Sequence, residues 1–216
     1  MSPGTTWNTS KQQADGPLAD YQGIKEAADC CAVAGDLERA RGLYRQALEL
    51  EPHRADSYAG LGVVALAEGR PYEAQGYFEL ARDLDRNCTE ACSGLAMIYQ
   101  DRKEYRQAFA MYLRCLEIDG DNLMALLGLF QTSCQMGTFA MIVHYLKVYL
   151  SRHNDDAAVL FCLATLYARE GSLAAAREAA MKVLSLQPQN AEAAALLQRI
   201  EQTLSSRAAD DHDARQ

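Results

Sequence analysis

The chain has 216 residues, a formal net charge of −8 and 49% apolar residues, a balance that suits a folded globular protein and not a disordered one. The acidic excess argues against nucleic-acid binding, which calls for a basic surface. No apolar run approaches the roughly 20 residues of a membrane span, and the polar stretch from Met1 to Lys11 lacks the apolar centre of a secretory signal. The expected location is therefore cytoplasmic.

In chain order, residues 1–18 contain Gly4, Gly16 and Pro17 and show no period, which predicts a disordered N-terminal segment. From residue 21 the chain repeats every 34 residues without insertion or deletion. One column reads Ala40, Ala74, Ala108, Ile142 and Ala176; another reads Tyr44, Phe78, Tyr112, Leu146 and Ala180. In the first half of each unit the columns headed by Ile24, Ala27, Ala28 and Cys31 are apolar or small, and these offsets of 3, 4 and 7 mark one face of a helix. Ala40, Tyr44 and Ala47 mark a second helix in the same way. The units are 21–54, 55–88, 89–122, 123–156 and 157–190, each predicted to be two amphipathic helices.

Between the two helices fall Gly35, Gly69, Gly137 and Gly171, with Lys103 in the same column of the third unit. Glycine there accepts the left-handed conformation that ends a helix. Asp36 and Ser172 are predicted N-caps, and Pro71 suits a first helical turn. The fourth unit departs most: Phe130, Ile142 and Tyr149 replace small residues, so its helices are expected to sit further apart or shifted. After Asn190, Leu196, Leu197, Ile200 and Leu204 form one stripe. They predict a capping helix over 191–205, followed by a flexible tail over 206–216.

Seven cysteines with no CxxC spacing read as reduced thiols acting as small apolar residues. Cys88 and Cys92 are four apart, but a zinc site needs two further ligands and none of the four histidines lies near, so no metal is expected. The vicinal Cys30–Cys31 pair offers a redox sensor as the other reading.

Tyr58, Leu61, Gly62 and Ala65, followed by Ala74, Phe78 and Ala81, resemble the signature of the tetratricopeptide repeat family. The resemblance implies an all-α fold: a right-handed superhelical solenoid of five helix-turn-helix units. It also implies a concave face lined by first-helix residues, used as a scaffold for binding another protein. Read at the family's lining positions, that face offers Val63, Leu66, Met97, Met124, Leu127 and Phe161 as an apolar stripe. Gln100, Gln131, Gln135 and Thr165 flank it as hydrogen-bonding groups. Such a groove suits an apolar peptide or an amphipathic helix of a partner, the competing reading being that these side chains pack between neighbouring first helices. Asp29, Gly60, Glu90 and Gly94 stand where a carboxylate clamp of the family would place polar or basic groups, which disfavours that mode. A dedicated chaperone for a client of a secretion or assembly system is the alternative within interaction proteins, and self-association is the other use of an apolar groove.

An enzyme has little support. There is no GxSxG, phosphate loop or HExxH, and no cofactor is implied. His144, beside Tyr145 and Lys147, is expected to face outward.

Overall fold

The computed structural model describes residues 21–213, with side chains to Ser206. The expected disordered segment 1–18 lies outside the described residues. These hold eleven helices and no strand: α1 (Tyr21–Val33), α2 (Leu37–Leu50), α3 (Ala55–Ala67), α4 (Pro71–Leu84), α5 (Thr89–Asp101), α6 (Tyr105–Ile118), α7 (Leu123–Met136), α8 (Ala140–Arg152), α9 (Ala157–Arg169), α10 (Leu173–Leu186) and α11 (Ala191–Asp213). Consecutive helices pair into hairpins, and the hairpins stack into a solenoid.

Each hairpin turn is built alike. One residue sits in the left-handed region, from Gly35 at φ +81° to Gly171 at φ +79°, and in the third turn it is Lys103 at φ +61°. The next amide then reaches back across six residues to an orphaned helix carbonyl, as Asp36 N does to Cys31 O at 2.9 Å and Glu104 N to Tyr99 O at 2.8 Å. The second helices start from different devices. Asp36 caps α2 by accepting from Arg39 N at 3.3 Å, and Pro71 opens α4 as its first residue. Ser172 stands at the N-cap of α10 without a side-chain bond, so the cap read there from residue type is not made.

Stacking rests on aromatic rings seated over glycines. A Cβ on Gly60 would lie 2.3 Å from the Tyr44 ring, one on Gly94 2.3 Å from Phe78, and one on Gly128 2.3 Å from Tyr112. Each ring belongs to the second helix of one hairpin and each glycine to the first helix of the next. The backbones can approach this closely only because the side chain is missing. The series ends at Leu146, a smaller knob, which faces an α9 that carries Cys162 at the matching position.

The fourth hairpin is the loosest. α7 runs one residue longer than the other first helices of the hairpins and α8 begins one residue later in the repeat. α7 packs closely on α6 and only sparsely on α8. The bulk of Phe130, Ile142 and Tyr149, the last two buried, prevents the close approach that Ala and Gly allow elsewhere.

α11 closes the stack, burying Ala193, Leu196 and Ile200. It continues to Asp213 where the apolar stripe predicts a stop at 205. No glycine or proline follows Pro188 to end it. Among the described residues no helix is long and apolar enough to cross a membrane.

Candidate functional site

The odd-numbered helices α1, α3, α5 and α7 lie side by side and form the inner face, while α7 and α9 stand further apart. At the N-terminal end this face is polar and self-satisfied. Tyr44 donates to Asp29 Oδ1 at 2.7 Å, and Lys25 pairs with Asp29 Oδ2 at 2.8 Å. Tyr21 bonds Asp56 at 2.5 Å and the buried Ser57 hydroxyl at 2.7 Å, beneath the Arg54 guanidinium, 4.2 Å from the ring. Burial, then the hydrogen bond to Asp56, pushes the Tyr21 hydroxyl up to about 12. Burial raises Asp56, but the hydrogen bonds from Arg54 and Tyr21 outweigh it and hold the carboxyl below the usual carboxylate range.

The apolar residues singled out from the sequence divide into two kinds. Val63 (47% exposed), Met97 (49%) and Met124 (73%) project into solvent. Leu66, Leu127 and Phe161 are half-buried and pack against the cores between hairpins. Gln100 is not free: its amide accepts from Tyr112 at 2.9 Å and donates to Gln131 at 2.8 Å. Thr165 donates to the Phe161 carbonyl oxygen at 2.9 Å, one turn back on its own helix.

Four of the ten residues meet at one place. Gln131, Gln135, Phe161 and Thr165 line a cleft of about 590 Å³ between α7, α9 and α11. Phe130, Cys134 and Leu196 add apolar surface, and Arg169, Glu192 and Arg199 stand at its edge. A smaller cleft of about 360 Å³ between α5 and α7 shares Gln131 and Gln135 with it and adds Gln100, Asp101 and Tyr105. Among the described residues the side chains of Gln135, Glu192 and Arg199 have no hydrogen-bond or ion-pair partner, whereas Arg169 donates to the Cys134 carbonyl oxygen at 3.5 Å. Val63, Leu66, Met97, Met124 and Leu127 line neither of these clefts.

The contribution of α11 was missed in the sequence, although the signal was there. Carrying the period past residue 190 extends the column Asp29, Val63, Met97, Gln131, Thr165 to Arg199, and the column headed by Gln22 to Glu192. The last helix thus takes the place of a sixth first helix as well as covering the fifth hairpin. Among the described residues no three His, Cys, Asp or Glu side chains converge as a metal would require, and His144 is exposed on α8.

Over 90 residues the chain is 27% identical to anaphase-promoting complex subunit 3 of Schizosaccharomyces pombe, which covers 42% of this chain but only 14% of that protein. It is 28% identical over 176 residues to the type IV pilus assembly protein PilF of Pseudomonas aeruginosa, covering 75% of this chain and 68% of that one. The solved structure of PilF matches with a TM-score of 0.71 at 22% identity, over 87% of this chain and 86% of the other. That of YrrB, described as a tetratricopeptide repeat protein with an unusual peptide-binding site, matches with a TM-score of 0.65 at 21% identity, over 81% and 90%. Tetratricopeptide repeat models match residues 34–98 and residues 89–122 and 157–190, more than half of the sequence. The chain belongs to the tetratricopeptide repeat family, whose repeats build scaffolds for protein–protein interaction.

Proposed function

We propose that the protein is a non-enzymatic scaffold that holds an apolar peptide or amphipathic helix of a partner on its inner face, with the cleft between α7, α9 and α11 as its centre. The observation that carries this is the cleft's composition. Phe130, Phe161 and Leu196 form an apolar lining, and the unpartnered Gln135 amide and Arg199 guanidinium stand beside it. Apolar side chains of a partner gain from burial there, and unpaired amide and guanidinium groups reward backbone carbonyls or carboxylates at the rim.

The test is binding of a peptide selected from an array of apolar and amphipathic sequences, followed by fluorescence anisotropy. Truncating a half-buried aromatic anchor removes about 2 kcal/mol, or roughly 30-fold in Kd. Phe161→Ala is expected to show that loss with helicity retained, and Met124→Ala, outside the cleft, is expected to bind as the unaltered chain does. Full binding by Phe161→Ala would reject the site.

A second reading is a dedicated assembly chaperone. The likeness to PilF favours it, because that match runs along three quarters of this chain. A single client that co-purifies in stoichiometric amount would support it, and several unrelated partners would support the general scaffold.

A further inference from the structure

The outer side of the solenoid carries a separate feature. Between α4 and α6 lies a cleft of about 540 Å³ lined by Arg82, Asp83, Arg86, Cys92, Met111 and Arg114. It shares no residue with the cleft between α7, α9 and α11. Three of its side chains are guanidinium groups and one is a carboxylate, in a chain whose net charge is −8. Met111 gives the cleft an apolar wall and packs against two of the cores between hairpins.

Packing does not call for arginine here. In the register of the repeat Arg82 stands where the other units carry Leu48, Leu116, Leu150 and Leu184, each packed against a core. A guanidinium is costly to bury in that way, and the Arg82 side chain stays 35% exposed at the side of the cleft. It donates to Asp83, its neighbour in sequence, at 3.1 and 3.3 Å. Arg114 donates to Glu117 Oε2 at 3.0 Å and to Asn87 Oδ1 at 2.9 Å, which ties α6 to the turn that follows α4. Among the described residues Arg86 has no hydrogen-bond or ion-pair partner. Ion pairs as exposed as Arg82–Asp83 and Arg114–Glu117 are weak, and an incoming carboxylate displaces them at little cost.

We propose that this cleft is a second docking surface, which takes an acidic segment of a partner protein through the carboxylates of its Asp and Glu side chains. The guanidinium groups of Arg82, Arg86 and Arg114 present forks of N–H donors that match carboxylates in paired hydrogen bonds. They stand on α4, on the turn after it and on α6, so they address several carboxylates along a chain. An apolar side chain of the same segment packs on Met111, whose thioether adapts to varied shapes. The negative charge of the whole protein opposes a long polyanion such as nucleic acid. A short acidic segment meets chiefly the charge of the cleft, because salt screens exposed charges beyond about 8 Å. The inner and outer faces then engage different chemistries, one apolar and one acidic.

The test uses the full chain and a fluorescein-labelled peptide of Asp and Glu residues around one Leu, followed by fluorescence anisotropy at low salt. Arg82→Leu installs the residue that the other units carry there, and circular dichroism is expected to show its helicity retained. Arg82→Leu and Arg86→Gln each remove charge-assisted hydrogen bonds and are each expected to raise Kd about 10-fold. Arg45→Gln, which removes an exposed arginine of α2 outside the cleft, is expected to bind as the unaltered chain does. The peptide with Asn and Gln in place of its acids is expected not to bind. No binding of the acidic peptide, equal binding of its amide counterpart, or full binding by both Arg82→Leu and Arg86→Gln would overturn the proposal. So would an equal loss in Arg45→Gln, which marks a diffuse charge effect, or tighter binding of the same peptide with phosphoserine in place of its acids.

Discussion

Gly94→Ala probes the contact that stacks the second hairpin on the third. In an unconstrained helix interior the change would stabilise by about 1 kcal/mol, because alanine loses less backbone freedom. Here the new methyl would lie 2.3 Å from Phe78 Cζ and 2.4 Å from Cε2, far inside contact distance. The ring has no room to retreat: it is fully buried, and its other edge lies 2.6 Å from where a Cβ on Gly62 would stand. Overpacking of a close-packed core costs up to about 3 kcal/mol when neither side can yield. The difference leaves a net destabilisation of about 2 kcal/mol, a fall of about 1 M in the urea midpoint for a slope near 2 kcal/mol/M. Gly76→Ala is the control, since its Cβ would meet nothing within 4 Å; it should raise the midpoint through propensity alone. Phe78→Leu placed in the Gly94→Ala background should recover part of the loss, because the two sites couple. A Gly94→Ala chain as stable as the unaltered one would refute the ring-over-glycine account of stacking.

Lys103 should behave in the opposite way. Its φ of +61° costs a side-chain-bearing residue about 1–2 kcal/mol, so Lys103→Gly is expected to raise the urea midpoint. Unfolded-state entropy returns roughly half of that gain, and a lowered midpoint would count against strain at this turn. In hydrogen exchange the amides of α8 should lose protection before those of α5 and α6, because α8 packs sparsely on α7 and local stability follows local packing. Uniform protection along the solenoid would contradict a loose fourth hairpin.

The repeat was legible because stacking makes the same demand every 34 residues. Ala40, Ala74 and Ala108 are small for one reason, and each is wholly buried. Pro71 and Asp36 were legible because a helix start is a local problem with few chemical solutions. Lys103 shows the limit of residue type: its column put it in the turn, while its chemistry argued against the conformation that the turn imposes. Ser172 shows another limit, since a suitable cap residue need not turn its hydroxyl toward the helix. The site was harder to read. Gln100 suited a partner's backbone on paper, but only folded coordinates bring the Tyr112 hydroxyl and Gln131 to it. The lining positions treat all units alike, whereas the cleft exists because one unit differs.

That difference follows from where the aromatic series stops. Tyr44, Phe78 and Tyr112 lock each hairpin to the next first helix, so α1 through α7 form one tightly keyed block, with α7 its last member through Gly128. Beyond it the knob is Leu146, no glycine receives it, and α8 packs more sparsely on its neighbours than the other second helices do. Tight keying brings first helices together and leaves little room between them; loosening the key separates α7 from α9 and exposes Phe130 and Phe161 to the gap. The substitutions that make the fourth unit a poor repeat therefore lie beside the cleft between α7, α9 and α11. Gln131 and Gln135 belong to the keyed block through α7, whereas Phe161 and Arg169 stand on α9, which packs closely on α10 and only sparsely on α8.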